Sequence, residues 1–264
     1  MYEFDRDTAV SPEGEGVWLV EVSPSWNIGT IPNGGYLMAI ALSAVGRELS
    51  HPDPLTATSH FLGRITSGEP ATIEVEVLRE GRTLSTACAR LLQDGRERLR
   101  MLATYGDLDA SEGPTLVTAT PPPMPPPDEC VGFDREEATM EIQKRFDLRL
   151  EPGVAGGAMG SPTGRPEVGG WIRFADGREP DLKSLALFAD ALPPTVLNIE
   201  RFGWVPTIEL TIHFRAKPAP GFLRTWFASR FLMKSHVEED GEIWDSKGNL
   251  VALSRQLSRI LPRS

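Results

Sequence analysis

His60-Phe61-Leu62-Gly63-Arg64-Ile65-Thr66-Ser67-Gly68 and His213-Phe214-Arg215-Ala216-Lys217-Pro218-Ala219-Pro220-Gly221 are two versions of one stretch, a His-Phe pair followed by a glycine at the same distance. Each is preceded by an unusually apolar helix candidate, Tyr36 to Gly46 in the first copy and Leu182 to Leu192 in the second, and each leads into strand-like runs that end in a Gly-containing turn. The repeated unit therefore reads helix first and strands afterwards. Two such units in one chain imply a fused pseudo-dimer with a site between its halves.

Working outward from the first copy, residues 17 to 22 read as a strand, and a loop rich in breakers from Pro24 to Gly35 leads into the helix, with Asn33 as its cap. That helix is apolar almost all round, so it is expected to be enclosed by a sheet. Strand chemistry follows in Thr56 to Ile65, Ala71 to Glu80, Thr83 to Leu92 and Arg98 to Tyr105, linked by short turns as in an antiparallel meander. Pro121, Pro122, Pro123, Pro125, Pro126 and Pro127 form an extended connector that cannot join a central strand. A spacer is the simpler use of this tract, an SH3-type ligand the sharper one. The second half opens with Ile142 to Leu150, passes a glycine-rich loop from Gly153 to Gly170, and reaches a strand at Trp171 to Phe174. Its helix starts after Asp181, a plausible cap, and must end by Leu192 because Pro193 and Pro194 follow. Strands are then expected at Thr207 to Arg215, Phe222 to Ser235, Glu238 to Trp244 and Leu250 to Ile260.

This plan is α+β, a double hotdog: two tandem units, each an antiparallel sheet wrapped around a central helix, with the sheets joined edge to edge. The expected units are 1–110 and 128–264, joined by a Pro-rich linker at 111–127. A pair of unrelated α+β domains is the competing arrangement and leaves the repeat unexplained.

At 264 residues and 40% hydrophobic content, each half can hold its own core. The two cysteines, Cys88 and Cys130, form no disulfide framework or close-spaced metal pattern. The N-terminus lacks a basic start followed by an apolar run, and no segment reaches the length of a membrane span. A cytoplasmic protein without a membrane span is expected. A net charge of −10 disfavours nucleic acid as a partner; the arginines at 79, 82, 90, 96, 98 and 100 form the densest basic cluster, read either as solvated strand faces and turns or as a patch for a small polyanion. The fused unit is also compatible with further assembly as a homo-oligomer.

Asp190 fits its surroundings least. It lies inside Leu185-Ala-Leu-Phe-Ala-Asp-Ala-Leu192, where an ionised carboxylate needs a partner, so it reads either as a cleft residue or as a side chain escaping to solvent from the last helical turn. Gln256 lies on a strand whose alternate residues Ala252, Ser254, Gln256 and Ser258 are small or polar, a face suited to a cleft floor. Thr207 shares its strand parity with Glu209, Thr211 and His213, so if that face points to bulk solvent it reaches a site only through a bulge or a bend at the strand end; ordinary strand polarity is the competing reading for both Thr207 and Gln256. There is no Gly-x-Ser-x-Gly elbow, and the histidines at 51, 60, 213 and 236 are scattered without metal-ligand spacing, so no metal and no cofactor is expected. His60 and His213 occupy equivalent repeat positions, which points to shared packing.

Pro32-Asn33-Gly34-Gly35-Tyr36 entering the first helix, the His-Phe strands, Leu185 to Pro194 with Asp190, and Asn249-Leu-Val-Ala-Leu-Ser-Arg-Gln256 together resemble the acyl-CoA thioesterase II family over nearly the whole chain. The resemblance implies a water-mediated hydrolysis of acyl-CoA in which Asp190, Thr207 and Gln256 orient the water, with Gly34, Gly35 and Tyr36 at the oxyanion and substrate position. This chain departs from the family in having Asn-Gly-Gly-Tyr where Phe-Gly-Gly-Gln is common, and its Thr207 strand lacks the usual Asp-His-Ser continuation. A positioned water and a carboxylate base suffice for an activated ester, and backbone N–H groups at the start of the first helix suit a developing oxyanion. The competing functions are a non-catalytic acyl-CoA or fatty-acid binding protein and a hotdog hydratase, the latter lacking its Asp/His pair here.

Overall fold

A computed structural model describes residues 1–262. A short helix α1 (Glu3–Asp7) precedes β1 (Ser11–Gly14), β2 (Val17–Glu21), the two-residue strands β3 (Asn27–Ile28) and β4 (Ile31–Pro32), the long helix α2 (Gly34–Glu48), and then β5 (Asp53–Phe61), β6 (Pro70–Glu80), β7 (Ser85–Gln93) and β8 (Arg96–Gly106). The second half contributes β9 (Val131–Gly132), β10 (Phe146–Leu150), β11 (Glu167–Phe174), α3 (Leu182–Phe188), β12 (Thr207–Phe214), β13 (Leu223–Ala228), β14 (Leu232–Met233), β15 (His236–Trp244) and β16 (Leu250–Arg259).

One antiparallel sheet runs β1-β2-β6-β7-β8-β5-β12-β16-β15-β13-β11-β10-β9, with β14 paired to β15. Outward from the central β5–β12 seam, the strand orders mirror each other: β8, β7, β6, β2 on one side and β16, β15, β13, β11 on the other. The fold is the expected double hotdog. Thr58 faces Thr211 across the seam, with their hydroxyl oxygens 2.8 Å apart, and His60 faces Glu209 as Thr56 faces His213. The step of 153 residues that relates the two His-Phe pairs also relates Thr58 to Thr211. Equivalent residues paired directly with each other mark a local two-fold axis, here at the Thr58–Thr211 pair.

The apolar sequence of α2 is explained by its enclosure: residues from Gly35 to Leu42, together with Ala44 and Val45, are all buried. Asn33 caps it, accepting from Tyr36 N at 2.9 Å, and Asp181 caps α3 in a reciprocal capping box with Ser184. The two helices pack backbone against backbone. A methyl group on Gly35 would clash with the Ala186 carbonyl and lie 2.9 Å from Leu187 Cα, so only glycine allows this approach. The paired helices share one core with an aromatic cluster of Phe4, Trp26, Tyr36, Phe146, Phe174 and Phe188, drawn from both halves. Asp5 of α1 adds a cross-half ion pair with Arg178 at 2.7 Å.

Three expectations are corrected. The second helix stops at Phe188 instead of reaching Leu192, because Asn33 Nδ2 donates to the Asp190 carbonyl at 2.6 Å and holds the chain in a turn there. The expected strand from Phe222 to Ser235 breaks after Ala228, where Ser229 turns its hydroxyl to Thr195 Oγ1 at 2.6 Å. The glycine-rich loop ends earlier than expected, since Gly169 and Gly170 lie within β11, where a side chain on Gly169 would strike the Trp226 ring.

Gly35 and Gly46 therefore respond oppositely to alanine. Gly35→Ala is expected to destabilise the chain by about 1–3 kcal/mol or more through the helix–helix clash. At Gly46 a methyl group meets only Tyr105, at ordinary contact distances of 3.7 and 3.8 Å, so Gly46→Ala is expected to stabilise by about 0.4–1 kcal/mol. Urea midpoints of the two variants check both signs.

Candidate active site

Asp190 follows the last turn of α3 and meets the N-terminus of α2 from the other half. Its Oδ2 accepts from Gly35 N at 3.0 Å and from Asn33 Nδ2 at 2.8 Å. Glycine at position 34 leaves Asp190 and Phe61 where they are, since a methyl group would lie 3.0 Å from Asp190 Oδ2 and 2.8 Å from Phe61 Cζ and one of them would have to shift. The other oxygen, Oδ1, accepts no hydrogen bond from the described residues, and it is not among their buried unpartnered polar atoms. One carboxylate oxygen is thus anchored and the other is open. Burial pushes the Asp190 carboxyl up to about 6, opposed by the backbone N–H groups of Gly35 and Gly34 and by the Asn33 amide.

Thr207 and Gln256 come together as their sequence parity alone did not allow. The β12–β16 register shifts between Thr207 and Glu209, and this bulge frees Thr207 from the outer face it would otherwise share with Glu209 and His213. Gln256 Nε2 donates to Thr207 Oγ1 at 2.8 Å and to Ser258 Oγ at 2.8 Å. With both amide protons engaged, the hydroxyls of Thr207 and Ser258 accept from the amide and keep their own protons to donate elsewhere. Asp190 hydrogen-bonds neither Thr207 nor Gln256 directly.

The helix N-terminus has a different occupant from the one expected. Gly35 N–H serves the Asp190 carboxylate, and Tyr36 N–H serves Asn33. The Tyr36 ring is fully buried, and its hydroxyl donates to the Asp7 carbonyl at 2.8 Å and accepts from Ser23 N at 3.0 Å. These contacts make Tyr36 a strut of the core.

Glu239 is a buried carboxyl beside the candidate site that sequence reasoning missed. It faces Gln256 across β15–β16, and Thr195 N donates to its Oε2 at 2.9 Å. Burial pushes its carboxyl up to about 7, opposed by bonds from Thr195, and the negative charge of Asp190 adds to the rise. The available signal was its inward parity on β15, between buried Val237 and Gly241. No group of three or more metal-ligating side chains occurs among the described residues, and no described helix is long and apolar enough to cross a membrane.

Residues 22–106 match the acyl-CoA thioesterase N-terminal domain, and residues 118–260 match the acyl-CoA thioesterase C-terminal domain. The chain belongs to the acyl-CoA thioesterase family. Among solved structures, a protein from Thermobifida fusca assigned to thioesterase II superposes with a TM-score of 0.91 at 35% identity, covering 99% of this chain and 98% of that one. A hotdog protein of unknown function from Alicyclobacillus acidocaldarius reaches a TM-score of 0.88 at 24% identity, with both chains fully covered. The uncharacterized Mycobacterium tuberculosis protein Rv0499 is 28% identical over 91% of this thioesterase-family chain and 89% of its own length.

The raised carboxyl makes Asp190 a stability sensor. Its folded pKa of about 6 exceeds the ordinary value of 3.8, so the native state binds the proton more tightly and loses stability as pH rises between those values. Asp190→Asn removes that loss. The melting temperature of the variant relative to wild type is expected to climb from pH 4 to pH 7, as paired thermal melts across that range will show.

Proposed function

We propose that this member of the acyl-CoA thioesterase family hydrolyses acyl-CoA to a carboxylic acid and free CoA, with Asp190, Thr207 and Gln256 acting on a water. The observation that carries this reading is a carboxylate with one oxygen anchored and the other open, in the same fold as a hydroxyl aligned by an amide. Asp190 Oδ1 takes a proton from the water as the water oxygen attacks the thioester carbonyl carbon. The helix N-terminus keeps Asp190 correctly aimed and stabilises its ionised form. Gln256 Oε1 accepts the second water hydrogen, and Thr207 O–H donates toward the carbonyl oxygen as negative charge develops there. The carbon–sulfur bond then breaks, the acid leaves with the hydroxyl from water, and the proton held by Asp190 passes to the CoA thiolate.

This assignment gives the oxyanion to side-chain hydroxyls, because the α2 N-terminus already holds Asp190. It also separates two neighbouring carboxyls. Asp190 ionises first and can act as a base near neutrality, while Glu239 holds its proton to higher pH, chiefly because of its burial and further because Asp190 is already charged.

Initial rates of thiol release from a panel of acyl-CoAs test the proposal. Asp190→Asn is expected to lower kcat by about 10²- to 10⁴-fold. In the wild type the rate should fall as pH drops through about 6, the value to which burial raises Asp190. Glu239→Gln should leave that acid limb near its wild-type position. An acid limb that moves with Glu239, or near-normal turnover in Asp190→Asn, would transfer the base to another group. Wild-type protein that binds acyl-CoA without turnover would make the chain a binding protein.

A further inference from the structure

The local two-fold axis gives the hydrolytic centre a mate. The centre lies where α2 begins, α3 ends, β12 begins and β16 ends. Its mate lies where α3 begins, α2 ends, β5 begins and β8 ends, and a cavity of about 540 Å³ occupies that position, lined by residues that include Leu42, Arg47, Pro54, Tyr105 and Lys183. The correspondence extends to single residues. β5 carries a bulge between Pro54 and Thr56 where β12 carries one between Thr207 and Glu209. Ala57 pairs with Ala103 as Leu210 pairs with Gln256, and Ala103 pairs with Ala87 as Gln256 pairs with Glu239.

Aligned on these registers and on the caps Asn33 and Asp181, the places of Asp190, Thr207, Glu239 and Gln256 are taken by Leu42, Pro54, Ala87 and Ala103. None of these side chains can take a proton or orient a water. The mate cavity therefore occupies the position equivalent to the hydrolytic centre without its chemistry.

Its charges point to a ligand. Lys217 is paired with Asp53 at 3.2 Å and with Asp109 at 2.5 Å, and Asp181 is paired with Arg178 at 2.6 Å. Lys183 and Arg47 have no carboxylate partner among the described residues. The Lys183 ammonium donates to Thr8 Oγ1 at 2.9 Å and lies 5.3 Å from the Phe4 ring centroid. Burial lowers its pKa, opposed by the negative charges of Asp181 and Asp5, while Arg178 and Arg47 act with burial. In a chain with a net charge of −10, two cations lining one cavity with no carboxylate in ion-pair contact among the described residues are the feature that an anion would complete.

We propose that the mate cavity is a non-hydrolytic site for an anionic group, held by Arg47 and Lys183, and that the anion is a product of the reaction: the carboxylate of the released acid or a phosphate of CoA. The choice of ligand rests on the proposed thioesterase activity; the site itself rests on the cavity and its charges. Calorimetric titration of the full chain with free CoA in one arm, and with dodecanoate below its micelle-forming concentration in the other, tests it.

Arg47→Glu reverses an exposed charge at the end of α2, and Lys183→Met removes the half-buried ammonium while keeping its stem. Each substitution is expected to weaken one of the two ligands by about tenfold or more. Initial hydrolysis rates should stay near wild type. A response in the CoA arm identifies phosphate, and a response in the acid arm identifies carboxylate. If both substitutions leave both affinities unchanged, the site does not exist, whatever the protein hydrolyses. If binding responds but no acyl-CoA is turned over, the cavity stands and the thioesterase reading fails.

Discussion

The contact between the Asp190 carboxylate and the first turn of α2 is the constraint around which the rest of the site is arranged. It joins the end of one half's helix to the beginning of the other's, and it depends on two glycines for different reasons. Gly35 lets α2 approach the backbone of α3, and Gly34 leaves room for Asp190 Oδ2 beside Phe61. Asn33 completes the contact from both sides, capping α2 with its Oδ1 while its Nδ2 holds the carboxylate and carbonyl of Asp190. The positive end of a helix favours an anion by about 0.3–1 kcal/mol, more where partly buried, so the carboxylate can remain partly ionised within an apolar surround.

Much of this was legible in the sequence because it is written in local patterns. An almost wholly apolar helix announces its burial, Asn33 and Asp181 have the chemistry of caps, and a lone Asp in Leu185 to Leu192 is conspicuous by contrast with its neighbours. The repeat spacing disclosed the duplication. What escaped was set by tertiary contacts. The end of α3 depends on a side chain 157 positions away, and no propensity of Ala189 or Asp190 encodes it. The bulge that redirects Thr207 is a property of the β12–β16 pair, so a strict alternation along β12 assigns it to the wrong face. Glu239 looked like one more charge in an acidic run, His236 to Gly241, until the register fixed which of those carboxyls faces inward.

Duplication also explains why one chain carries two equivalent positions with different residues. In two identical units paired about a two-fold axis, both sites carry the same residues. Once the units are fused, each copy can drift alone, and the pair Gln256 and Glu239 in one half stands opposite Ala103 and Ala87 in the other. The scaffold is shared, but the chemistry is not.

The seam at Thr58 and Thr211 has a consequence for how the halves find each other. Edges built on the same pattern can pair with copies of themselves as well as with one another, and a self-paired dimer of the first half would have no Asp190, while one of the second half would have no Gly34–Gly35 helix start. The proline tract prevents that loss of partner choice. It is itself tied down, with its Pro125 carbonyl accepting from Trp171 Nε1 at 2.8 Å and its Pro122 carbonyl from Arg224 Nη1 at 3.1 Å. A tether of this kind keeps the correct edge at an effective concentration of about millimolar or more, far above that of any edge on another molecule. Covalent linkage here acts as a sorting device, making the mixed pairing the one that forms.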